Sequence, residues 1–138
     1  MTSLRAGFTV TVVLVNGVTY TAIGLLLLLT PEWFFTNIGN FPPFNRHYAG
    51  DLGSFQLALG AALLYAVRRA DWRGGLLGVA AAGGTIHALN HAVDAARSVG
   101  GWDQTLALFI LSGVTIAALW QVLGEENLGV ENRATAPT

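Results

Sequence analysis

Cysteine is absent from the 138-residue chain, so no disulfide, thiolate metal site or dithiol couple can form within it. Any metal would have to be held by imidazole, carboxylate or amide groups. Lysine is absent too. All seven basic residues are Arg, they are scattered, and the net charge is −1. That excludes the clustered basic surface by which proteins grip nucleic acid. Charge of either sign is scarce, at 11% of residues, where soluble domains carry about 25%. Proline occurs only four times and never inside a long apolar run. Phosphate-cradling glycine loops, nucleophile elbows and HExxH motifs are also missing.

What is present is apolar. Hydrophobic residues make up 53% of the chain, and the mean hydropathy is +0.53. This composition predicts an all-α integral membrane protein, a four-helix bundle with the lipid bilayer as its main partner. Spans are expected at about 6–30, 46–69, 75–99 and 103–123, with an interfacial segment at 31–44. The first run is read as a retained span and not a signal peptide. Residues 1–123 then form a single membrane domain, and 124–138 a polar, unstructured tail. Local signals agree. Thr30-Pro31-Glu32 reads as a cap, a first-turn Pro and an acidic second position, and Asn45 as an N-cap. Gly100-Gly101 reads as a stop. Gly50, Gly53 and Gly60 allow close helix approach, and Asn16 is expected to hydrogen-bond between helices.

Arg68, Arg69 and Arg73 form the densest basic cluster. The positive-inside tendency places that turn in the cytoplasm, and with four spans both termini lie there as well. Trp33 and Trp102 then fall at the outer interface, Trp72 and Trp120 at the inner one.

Against this background His87-Ala88-Leu89-Asn90-His91-Ala92-Val93-Asp94 stands out. His87, His91 and Asp94 fall within roughly 60° on one helix face, and ionisable groups inside a span usually mark a site. The topology sets His47 and Asp51, at the start of the second span, opposite the end of the third. The predicted metal ligands are His47, Asp51, His87, His91 and Asp94, with zinc first and iron or manganese next. Asp51 and Asp94 could instead act as proton acceptors in catalysis, and Asn90 and Glu32 could support the bound group. Without a metal the same groups could relay protons or bind a polar ligand. Plainer roles exist for some. His47 could be interfacial, Asp51 could complement its helix N-terminus, and Asp94 could pair with Arg97.

Pro43-Phe44-Asn45-Arg46-His47-Tyr48-Ala49-Gly50-Asp51-Leu52-Gly53, followed by the His87, His91 and Asp94 spacing, resembles a pattern found in small bacterial four-span membrane proteins. That pattern is Phe-Asn-x-His-Phe-x-x-Asp-x-Gly, then His-x-x-x-His-x-x-Asp. Tyr48 stands where the pattern has Phe, and Pro31-Glu32-Trp33 also resembles the group. In layout the chain is similar to DoxX-like four-helix membrane proteins, whose members include subunits associated with oxidoreductases. The expected function is a metal-dependent membrane oxidoreductase or hydrolase acting at the outer face. The alternatives are a transporter or proton-coupled subunit, or an accessory subunit of a homo-oligomer or larger membrane complex.

Overall fold

The computed structural model describes the backbone of residues 3–134 and the side-chain surroundings of residues 4–125. Among these residues the regular structure is all helical, with no strand. Helix α1 covers Ser3–Leu29, the short α2 Pro31–Asn37, α3 Arg46–Ala66, α4 Arg73–Ala96 and α5 Trp102–Ala134. A 3-10 turn, Ala70–Trp72, lies just before α4.

Periodicity and caps explain most boundaries. Asn45 caps α3 as its sequence position suggests, its side chain accepting from the backbone N–H of His47 at 2.9 Å and of Tyr48 at 3.2 Å. Thr30 occupies the N-cap of α2, but its hydroxyl turns back and donates to Leu26 O. Helix α4 stops before the glycine pair. Val99 N–H bonds to Asp94 O at 2.8 Å and Ser98 N–H to Ala95 O at 3.1 Å, around a left-handed Ser98 at φ 60°. This is a Schellman closure with Ser where Gly is usual. The tail expected to be unstructured from Gly124 instead continues α5 to Ala134. Glu125, Glu126 and Glu131 favour helix, and extending a formed helix needs no new nucleus. Residues 135–138 lie outside the described residues.

Two helix pairs result. Helix α1 packs along α3, and α4 along α5; contacts between α3 and α4 are few, and α1 meets α5 over a limited stretch. Glycines draw α1 and α3 together. A Cβ on Gly24 would lie 2.6 Å from Leu57 N, and one on Gly53 2.9 Å from Leu27 Cβ. The pairs are joined near the turn that links α3 to α4. There Val12, Val13, Leu63, Ala66, Leu77, Ala80 and Ala118 make one buried cluster. Arg73 fastens this turn by donating to Ala66 O at 3.0 Å and Val67 O at 2.7 Å. The α1–α5 contact is polar. Asn16 Nδ2 donates to Thr115 Oγ1 at 3.1 Å, the interhelical bond expected of Asn16, and Thr9 Oγ1 donates to Gln121 Oε1 at 3.2 Å.

Two helices, Leu4–Leu29 and Trp102–Glu125, are long and apolar enough to cross a membrane. Only 33% and 22% of their apolar windows are buried inside the chain, so their greasy surface points outward. Helices α3 and α4 have 21 and 24 residues, about 31 and 36 Å at 1.5 Å per residue. Their glycines, His and Asn hold them below the apolarity of the other two.

Candidate functional site

The site is best approached along two stripes. On α3, Leu63, Leu59, Gln56 and Leu52 recur at intervals of three and four residues and share one face. On α4, Ala80, Gly84, His87 and His91 do the same. At the turn end these stripes are closed: Leu63 is 0% exposed and Ala80 2%. Seven residues further along, about 10.5 Å, stand Gln56 and His87. Here the stripes are less completely covered. Leu52 is 49% exposed, His87 is exposed and His91 is half-buried. Helix α4 has not left α5, since Ala88, Ala95 and Thr105 remain buried. The less covered part of the α4 stripe therefore lies at the end carrying the 38–45 loop.

At this end His87 and His91 stack, with ring centroids 4.7 Å apart and planes 15° from parallel. Their i, i+4 spacing on a continuous helix produces this contact. Phe41, from the loop before α3, places its edge against His91 at 5.5 Å and also reaches the α4–α5 connection, where a Cβ on Gly100 would meet its ring at 3.4 Å. The loop thus bridges the two pairs at this end. The surroundings are polar. A methyl on Gly84 would sit 3.0 Å from Ser112 Oγ and 3.9 Å from Tyr20 Oη, so the missing side chain lets both hydroxyls approach α4. Gln56 Oε1 is buried without a hydrogen-bond partner.

The five predicted ligands do not converge. His47 Nε2 and Asp51 Oδ2 pair at 3.5 Å, with side chains 85% and 57% exposed. They lie on the side of α3 away from both Gly53 and Leu63, because 100° per residue turns them outward once those glycines face α1. Asp94 is approached by Asn90 Nδ2 at 3.5 Å, on the same helix, and not by Arg97. Glu32 is exposed in the first turn of α2, where its charge suits the helix N-terminus. No group of three or more His, Asp or Glu side chains able to hold one metal ion occurs among the described residues. The structure keeps His87 and His91 together and detaches His47 and Asp51. It adds Phe41, Tyr20, Gln56 and Ser112, which the sequence reading did not select. Gln56 was detectable as a polar residue on an otherwise Leu-lined stripe; Phe41 carried no signal, since its role depends on a loop path.

No protein-family model, curated protein or solved structure matches this chain.

Proposed function

We propose that the chain is a multi-pass protein of the bacterial cytoplasmic membrane, crossed by α1, α3, α4 and α5 with both ends inside. Its His87–His91 pair forms a proton- or polar-ligand-binding site opening to the outer face, the chemistry of a proton-coupled or transport subunit. The observation that carries this reading is the exposure of a stripe that is buried at its other end. Bare imidazoles in hydrocarbon are costly, so the exposed His87 and its stacked neighbour His91 are better suited to water or a polar guest than to lipid. Two stacked imidazoles do not readily hold two protons at once, because like charges repel at short range. The pair therefore suits a single exchangeable proton. A resident metal would need donors beyond these two rings, and Asp94 and Asn90 are already directed at each other. The outward apolar surfaces of α1 and α5 support the membrane placement. So do the exposed Trp33, Trp72, Trp102 and Trp120, the last two 18 residues, or about 27 Å, apart along α5.

Nuclear magnetic resonance of ring-labelled His in micelles tests the site, since the chain has only three such residues. His87→Gln should alter the titration curve of His91 and leave that of His47 unchanged. An unaltered His91 curve would show that the two rings do not act as a unit. Stoichiometric zinc that is lost in His87→Ala would return the metal reading.

A further inference from the structure

A groove of about 580 Å³ lies at the other end of the molecule, lined by Leu14, Leu64, Tyr65, Val67, Arg68 and Arg69. We infer that this groove binds one anionic phospholipid, with an acyl chain along Leu14, Leu64 and Val67 and the phosphate against Arg68. The inference rests on the membrane placement proposed above.

Three observations carry it. First, the floor is apolar and continuous with the outward surface of α1, where Leu14 is 43% exposed and neighbouring Val18 53%. A lipid chain already lying against α1 can enter without crossing water. Second, the rim carries two arginines, of which one is paired with a carboxylate among the described residues. Arg69 is held by Asp71, through Nε at 3.2 Å and Nη2 at 2.9 Å, and its Nη1 donates to Tyr65 Oη at 3.0 Å. Arg73 spends its donors on the last carbonyls of α3 but keeps its charge. Arg68 has no carboxylate partner among the described residues. Of the two arginines lining the groove, Arg68 is the one whose side chain is without a carboxylate or hydrogen-bond partner among the described residues, so its donors remain available. A planar guanidinium matches a phosphodiester well. Third, Tyr65 and Trp72 meet edge to face at 5.4 Å beside the groove. Such amphipathic rings settle at the headgroup level, the depth a lipid phosphate occupies. The Asp71–Arg69–Tyr65 chain then serves as a brace that fixes the groove wall and leaves Arg68 to take the ligand.

The test uses the full chain in neutral detergent and compares retention of phosphatidylglycerol and phosphatidylcholine by native mass spectrometry. Wild type should favour phosphatidylglycerol by roughly fivefold, the factor expected for one Arg at an anionic surface. Arg68→Gln should abolish the preference and Arg68→Lys should keep most of it. Leu14→Trp, which fills the slot, should lower retention of both lipids. Arg97→Gln, at the opposite end, should change nothing. Equal retention of the two lipids by wild type would overturn the inference, as would an equal loss in Arg97→Gln. Effective competition by glycerol phosphate, a headgroup without chains, would show a plain anion site and overturn it too. Should Arg68→Gln not fold, the Leu14→Trp and Arg97→Gln arms still decide. Release of the chain from membranes by alkaline carbonate would contradict the membrane placement itself; retention there with lipid indifference would contradict only the groove.

Discussion

The two ends of the α3 and α4 stripes carry different side chains and reach opposite outcomes. At the turn end Leu63, Leu77 and Ala80 close against Val13 and Ala118. At the loop end Leu52 and His87 are exposed and His91 is half-buried. The contrast is one of side-chain chemistry and tethering. Leu, Val and Ala bury without needing partners, whereas Gln and His must find hydrogen bonds or stay wet. The turn end is also tied by a short connection and the Arg73 cap. The loop end is spanned by a longer segment that touches α4 through Phe41. In the membrane placement proposed above, burying apolar groups against each other gains little when lipid is the alternative, so close packing and hydrogen bonds decide where helices join. Here they join at one end only.

The largest expected effect breaks that contrast directly. Leu63→Ala should lose about 2–5 kcal/mol, as for a fully buried Leu. Leu52→Ala, eleven residues away on the same stripe, should lose less than about 1 kcal/mol. Denaturant unfolding in micelles measures both, and equal losses would mean that the ends are packed alike. Next come the glycines. Gly24→Ala would place a methyl 2.6 Å from Leu57 N and should cost about 1–3 kcal/mol by forcing α1 from α3. Gly83→Ala meets nothing within 4 Å and should be neutral or stabilising by up to about 1 kcal/mol, from helix propensity.

Smaller effects sharpen the picture of each connection. Ser98 sits at φ 60°, closing α4 at the loop end. Ser98→Gly should raise stability by about 1 kcal/mol, because only glycine takes that conformation without strain. The turn end has a pH-sensitive counterpart. Hydrogen bonding from Arg69 holds the Asp71 carboxyl below its ordinary value. A depressed carboxyl stabilises the folded turn above its unfolded pKa, and the gain disappears as pH falls through the folded one. A slight acid-side loss, absent in Asp71→Asn, is expected in unfolding curves taken across that range. Both groups are fully exposed, so this effect is the smallest.

Much of the fold was legible because it is local. Long apolar runs bounded by breakers located the four long helices, Asn45 announced its cap, and Asn16 announced an interhelical bond. The pairing of His47 with a site on α4 was not legible from its spacing, since i, i+4 places two residues together without saying which way they face. Gly53 and Gly60 held that information. Once they turn toward α1, His47 and Asp51 must turn away. The stop at Ser98 in place of Gly100 depended on backbone bonds that a serine sequence does not announce. The continuation of α5 past Gly124 was hidden by composition, because charged residues favour helix as readily as they suggest a loose tail.

Because the chain lacks cysteine, single-cysteine labelling with a membrane-impermeant maleimide reads the central claim without background. In sealed vesicles exposing the outer face, His87→Cys should react quickly and Ala80→Cys, seven residues along the same stripe, should remain protected until the protein is unfolded. Equal protection of both positions would contradict a His87 that is reached by water while Ala80 is closed off.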